Sequence, residues 1–386
     1  MNLRKIVNAT LYRGDGSKPL SDATIIFNEA GIIFAGETRE APGVEESECI
    51  DAFGAPVCPG YIDIHHHGAA GHAYDDGAEA AKAALAAHRL HGTTRSVLSL
   101  VTGDIDKVEQ RIRDLVPLVK NDPLVLGLHP EGPCLHPDHK GAHPEHLLRD
   151  PEPTIVERLI EAGEGTVKQF TLAPERTGGL DSCALLAKRG VAAAVGHTSA
   201  TFEQAQQAFV NGASILTHAF NGMKGIHHRA PGPVIAALRD KNVWIEVIND
   251  GIHVHPAVVR SLFLEAPERI VLVTDSMSAA CNPDGEYMLG DLPVIVTDGK
   301  AMLKEGNSLA GSTLTMDYAV SNAVKNVGVP LEIAIAAATH QPAKAIGMGD
   351  QYGLLDPNYP ADLLILDPST LLPTTIIAAG TDIYAA

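Results

Sequence analysis

Aromatic residues are scarce in this 386-residue sequence, 4% with a single Trp, and its five cysteines (Cys49, Cys58, Cys134, Cys183, Cys281) are scattered without a Cys-x-x-Cys pair. An odd, unpatterned set of thiols excludes a disulfide framework and a zinc ribbon and points to a reducing cytoplasm. No apolar run reaches the roughly 18 residues of a membrane span, and the opening MNLRKIVNATLYRGDG lacks the apolar core of a signal peptide. A soluble protein is expected. Positive charge is short as well: 29 Lys and Arg face 47 Asp and Glu, a formal net charge of −18. Phosphate-driven binding is then repulsive overall, which excludes nucleic acid and anionic membranes as partners but leaves room for a local basic pocket.

What is present is ordinary globular material, 45% hydrophobic and 20% charged, enough for a sizeable core. Near the start, IVNATLY, ATIIF, the turn Asn28-Glu29-Ala30-Gly31 and IIFAGE alternate in polarity; near the other end, ADLLILD and TTIIAA also read as strands. Neither piece buries a core alone, so one small β-sandwich domain built from residues 1–55 and 350–386 is predicted. In the intervening 56–349, eight short apolar runs, starting at Tyr61, Thr93, Leu124, Val167, Val191, Ala213, Val243 and Ile270, alternate with Ala-rich helical stretches. Eight strand-plus-helix units predict an α/β fold, a (β/α)8 TIM barrel. One helix is bracketed by Thr201 as N-cap and Gly212 as stop. Beyond the eighth strand, PVIVTDGKAML reads as a hairpin turning at Asp-Gly.

The polar residues sit where barrel active sites are built, at strand C-terminal ends. Strand 1 ends Asp63-Ile64-His65-His66-His67. Alternation sends His65 and His67 to one side, spaced to grip a divalent ion, and His66 to the other, against the helices. Strand 3 ends in His129-Pro130-Glu131, strand 5 in Gly196-His197, strand 6 in Thr217-His218 and strand 8 in Thr274-Asp275. One histidine at a strand end is usually structural, but ligand types on five strand ends converging on one mouth point to a metal. His72, His88, His91, His136 and His139 are read as structural or solvated, and Cys134 as a candidate for the pocket wall.

In order along residues 50–367, PGYIDIHHHG, GLHPEGP with KGAH after it, VGHTSATFEQ, LTHAFNGM with HHRAPGP after it, NDGIHVHP, LVTDSM, LAGST and GLLDPNYPADLLILD resemble the N-acetylglucosamine-6-phosphate deacetylases of the amidohydrolase superfamily. The resemblance implies a metal-dependent barrel with a split β domain. It also implies hydrolysis of N-acetyl-D-glucosamine 6-phosphate, a phosphosugar, to D-glucosamine 6-phosphate and acetate. Glu131, His197 and His218 are implied as ligands of the principal metal, His65 and His67 as those of a second, Glu131 as the bridge, and Asp275 as catalytic base and further metal contact. Zinc is the expected ion, one or two per chain, with iron, manganese or cobalt accepted by the same donors. Strand 4 has its only Lys at position 168, near its start, so a carboxylated-lysine bridge is not available.

The same resemblance implies His143 as oxyanion stabiliser, and Ala142, His143, Asn221, Gly222, Arg229, His253, Leu309, Ala310 and Gly311 as substrate contacts, with Arg229 gripping the 6-phosphate across a homodimer interface. Ala230 stands where the family commonly has Glu. Leu309 to Gly311 reads equally as a helix start capped by Ser312 or Thr313. Three alternatives stay open: N-acetylgalactosamine 6-phosphate as substrate, an N-acyl-D-amino acid as substrate, or a non-catalytic metal- or sugar-binding protein.

Overall fold

The computed structural model describes residues 3–44, 47–306 and 308–385; residues 1, 2, 45, 46 and 386 of the predicted terminal domain lie outside the described residues. Eight parallel strands form the barrel: β1 (Tyr61–His66), β2 (Thr93–Leu100), β3 (Val125–Pro130), β4 (Gln169–Leu172), β5 (Ala192–Val195), β6 (Ala213–Leu216), β7 (Trp244–Ile248) and β8 (Ile270–Val273). Successive strands pair in parallel, with β3 and β4 meeting through the bridges Leu128↔Val167 and Glu131↔Thr171. The ring closes where the Asp275 N–H donates to the His65 carbonyl at 2.8 Å and the His67 N–H to the Ser276 carbonyl at 2.7 Å. The α/β barrel expected from the alternation of runs is the fold observed.

Several strands are shorter than the apolar runs that announce them. β5, β6 and β8 stop at Val195, Leu216 and Val273, and shortly beyond them His197, His218 and Asp275 take positive φ values of 45°, 27° and 47°. Such backbone costs about 1–3 kcal/mol per non-glycine residue and persists where surrounding structure over-determines it. Here it falls on three of the side chains that meet at the barrel mouth.

Between strands, local signals set the helix ends. Helix Phe202–Val210 opens with a capping box, in which Thr201 Oγ1 accepts from the Gln204 N–H and the Gln204 side chain accepts from the Thr201 N–H. It ends at Gly212, whose φ of 102° suits glycine and whose N–H donates to the Phe209 carbonyl at 3.0 Å. Inside the barrel His129 is fully buried with both ring nitrogens engaged, Nδ1 at 2.9 Å from Ser99 Oγ and Nε2 at 2.8 Å from Thr171 Oγ1, so its role is structural.

Strands from both ends of the chain share one eight-stranded sheet. Leu3–Leu11, Leu20–Asn28, Gly31–Glu37, Ser47–Asp51 and Pro56–Pro59 are joined by Leu363–Leu366, Pro373–Ala378 and Thr381–Ala385. The seam is the antiparallel pairing of Pro56–Pro59 with Leu363–Leu366. Ile6, Ile25, Phe27, Val57, Leu363 and Ile377 are buried together over it, and Arg4 pairs with Asp382 at 2.9 Å.

A third sheet follows β8. The predicted hairpin Leu292–Thr297 and Lys300–Leu303 turns at Asp298 and Gly299, both at positive φ (51° and 71°) as a type I′ turn requires. A further strand, Gly285–Leu289, pairs with it; its short GEYML run gave no alternation to read. Among the described residues no helix is long and apolar enough to cross a membrane.

Candidate metal and active site

A cavity of about 320 Å³ opens at the barrel mouth, lined by His67, Glu131, His143, His197, His218 and Asp275 and, further out, by Ala142, Asn221, Gly222, His253, Leu309 and Gly311. Glu131 is its centre. Its Oε1 lies 3.1 Å from His218 Nε2, 3.3 Å from His197 Nε2 and 3.4 Å from His65 Nε2. Its Oε2 lies 3.1 Å from His67 Nε2 and 3.7 Å from His143 Nε2. Asp275 Oδ1 is 3.3 Å from His67 Nε2 and 3.6 Å from His65 Nε2.

Hydrogen bonding alone does not account for this packing. The Nε2 atoms of His197 and His218 are 3.1 Å apart, both facing the same carboxylate oxygen, and His65 Nε2 is buried without a hydrogen-bond partner. Donors around a small ion with bonds of about 2.0–2.2 Å sit about 3.3–3.6 Å from one another. Two overlapping groups bring their ligand atoms within 4.8 Å of one another, His65, His67, Glu131 and Asp275 in one and Glu131, His143 and His197 in the other, with His218 beside the second. The imidazole and carboxylate set fits a divalent metal.

The ring orientations are fixed from behind. His197 Nδ1 donates to the His139 carbonyl at 2.8 Å, and His65 Nδ1 donates to Glu246 Oε2 at 3.0 Å; each leaves an Nε2 lone pair facing Glu131. His139, expected to be structural or solvated, is structural through its carbonyl, whereas Glu246 was not among the expected residues. The available signal for Glu246 was a single carboxylate in the otherwise apolar run WIEVI. Glycines make room for the His197 ring: a Cβ on Gly222 would sit 2.7 Å from its Nδ1, and one on Gly141 3.0 Å from its Cε1.

Protonation follows from these neighbours. Burial alone would raise the Asp275 carboxyl, but the bond to His67 and the charge of His65 bring it down to about 2, so it is ionised. Burial opposes ionisation of Glu131 too, and His65, His197 and His218 hold it well below the carboxylate range. His143 is pushed down to about 3 by burial and by His197 beside it, so its imidazole is neutral. Its Nδ1 is 2.8 Å from Thr102 Oγ1, whose other acceptor, the Glu131 carbonyl, is at 3.4 Å. The shorter contact lets Thr102 donate to Nδ1, which leaves the hydrogen of His143 on Nε2.

Not every expected residue reaches the cavity. Ala310 is fully buried in the small core of the inserted sheet, its N–H donating to the Ala301 carbonyl at 3.2 Å, so it separates Leu309 from Gly311 without lining the site. Arg229 lies outside the lining because residues 224–230 are exposed throughout. Among the described residues its guanidinium makes no ion pair. Cys134 is buried with Sγ 4.0 Å from the Asp150 carbonyl, away from the cavity. Thr315 occupies the N-cap of helix Met316–Asn322. Ser312 instead braces the segment after β8, its Oγ donating to the Thr274 carbonyl and its N–H to the Asp275 carbonyl. His66 turns outward to Tyr74 OH at 2.9 Å and the His88 ring at 4.7 Å.

Residues 57–383 match the amidohydrolase family. The chain belongs to that family. Among curated relatives it is 40% identical over 319 residues, 81% of this chain and 83% of the other, to N-acetylgalactosamine-6-phosphate deacetylase of Escherichia coli O157:H7. It is 35% identical to N-acetylglucosamine-6-phosphate deacetylase of Lysinibacillus sphaericus, covering 97% of this chain and 96% of the other. A solved structure of a Mycobacterium smegmatis N-acetyl-D-glucosamine-6-phosphate deacetylase variant in complex with N-acetyl-D-glucosamine-6-phosphate superposes with TM-score 0.94 at 35% identity, covering 100% of both chains. The homologues of this chain are thus hexosamine-6-phosphate deacetylases of either epimer.

Proposed function

We propose that this chain hydrolyses the acetamide of N-acetyl-D-glucosamine 6-phosphate to D-glucosamine 6-phosphate and acetate in amino-sugar catabolism. The observation that carries the reading is Glu131, one carboxylate whose two oxygens face different sets of imidazoles, beside an ionised Asp275 and a cavity large enough for a monosaccharide phosphate. Glu131, His197 and His218 would hold the principal ion, and His65, His67 and Asp275, together with Glu131, a second; zinc is the proposed metal. When bound, the divalent ion supplies an electrophile that acidifies water and polarises the acetyl carbonyl.

The chain's own residues do the rest. Asp275 takes the proton of the attacking water and returns it to the nitrogen, so the amine leaves neutral. His143 donates from Nε2 to the oxygen on which charge develops. His253, with Nδ1 held by Asp250 at 2.7 Å, contacts the sugar together with Asn221 and Leu309. Arg229 receives the 6-phosphate across a homodimer interface, a role supported by the outward exposure of its loop and by the bidentate geometry of a guanidinium. Residues 1–55 and 350–386 act as a separate β domain beside the catalytic 56–349. The free cysteines support a cytoplasmic location.

The test is amine release from a panel of N-acetylated hexosamines with and without the 6-phosphate. Turnover of the phosphorylated gluco compound is expected, and no turnover by metal-loaded protein of any panel member overturns the reading. One observation favours a second substrate: the 40% identical relative acts, by its name, on N-acetylgalactosamine 6-phosphate. A higher kcat/KM for the galacto epimer would assign the chain to it.

A further inference from the structure

Glu246 is a carboxylate in the middle of β7, fully buried inside the barrel. Its Oε2 accepts from His65 Nδ1 at 3.0 Å and from the His218 backbone N–H at 3.2 Å, and its Oε1 accepts from Gln169 Nε2 at 2.7 Å. Among the described residues its one ion-pair partner is His65; no Lys or Arg approaches it. A carboxylate so deep is expensive unless hydrogen bonds satisfy its oxygens. Here Gln169 satisfies one oxygen, and the other touches both halves of the metal end: the ring of His65 on one side and the backbone of His218 on the other.

We propose that Glu246 is the positioning residue that makes a second metal site possible. By accepting the Nδ1–H of His65 it fixes the tautomer in which Nε2 is a lone pair aimed between Glu131 and Asp275, the site that His65 shares with His67. Without an acceptor at that position, His65 is free to carry its hydrogen on Nε2, where it faces the site with a proton in place of a lone pair. The principal group has separate support, because His197 is oriented by the His139 carbonyl. Removal of Glu246 therefore takes from the second ion the acceptor that orients a ligand ring, and from the principal ion only the bond to the His218 backbone N–H. Carboxylates behind a ligating histidine typically change metal affinity by about 10–100-fold.

This inference rests on the two-ion reading given above, and the experiment separates the two. Metal-free protein is titrated with Zn²⁺ by calorimetry, with elemental analysis after dialysis, for wild type, Glu246→Gln and Glu246→Met. Thermal unfolding of each metal-free protein monitors folding. Wild type is expected to take up two ions. Glu246→Met should keep the tighter ion with the smaller loss of affinity and weaken the other by about 10–100-fold. Glu246→Gln can still accept from His65 through its amide oxygen while Gln169 turns its own amide, so it should restore part of that loss; it also stands as the readout if the Met variant does not fold. Two ions bound to a folded variant with wild-type affinities overturn the role of Glu246. Saturation of wild type at one ion overturns the two-ion reading itself, and this inference with it.

Discussion

At the metal end of the cavity His65, His67, Glu131, His197, His218 and Asp275 are all buried, and two of the rings are held from behind, His197 by a carbonyl and His65 by a carboxylate. At the Arg229 end seven consecutive residues, 224–230, are exposed, and the described polar contact of Arg229 is its backbone N–H to His227 Nδ1 at 3.3 Å. The first end is pre-organised by the barrel alone, in a low-dielectric setting where charge interactions are strong. The second is a flap whose charge is screened by solvent and salt. On the proposed reading, bond breaking falls to the buried strand ends and phosphate recognition to an exposed loop.

Substitutions divide along that line. Asp275→Asn should lower kcat by about 10²–10⁴-fold and weaken the second ion while the principal ion is retained, read by amine release beside elemental analysis. His143→Ala should cost about 10²–10³-fold in kcat. Thr102→Val, which leaves that ring without its partner, should cost about tenfold with KM little changed. At the other end Arg229→Ala should raise KM for the phosphorylated substrate by about 10–100-fold with kcat nearly constant, and the difference from wild type should shrink as salt is added. A large kcat loss at Arg229 would erase the distinction between the two ends.

The smallest effect lies outside both. The His91 imidazole is raised to about 10, first by its hydrogen bond to Asp317, 2.9 Å away, and then by Cys281. A folded-state value above the unfolded one contributes stability that is complete below about pH 6.5 and disappears as pH rises towards 10. With a third of the side chain exposed, screening limits it to about 1 kcal/mol. His91→Gln should therefore lower the denaturation midpoint at pH 6 and leave it unchanged near pH 10.

The barrel was legible because its strands are continuous apolar runs at regular intervals, and the metal donors because five of those runs end in His, Asp or Glu. Three kinds of feature were not. Glu246 and Thr102 act through other side chains, and no spacing rule marks a residue whose partner is on another strand. Ala310 was misplaced because three consecutive residues cannot all face one cavity when the middle one turns into a neighbouring core. Arg229 was identified by its motif, but whether a loop lies over a pocket or away from it depends on what covers it, which local sequence does not encode.

The shared terminal sheet has a consequence for the order in which the protein can be made. Its seam joins residues 56–59 to 363–366, and Arg4 finds Asp382, so the strands synthesised first have their neighbours among those synthesised last. During translation at about 5–20 residues per second, the N-terminal strands wait on the order of 20–80 s with an unpaired edge while all eight barrel strands emerge. That seam can close only after residues 363–366 have been made. A chain interrupted before residue 363 would carry every metal donor and still present an open, aggregation-prone β edge.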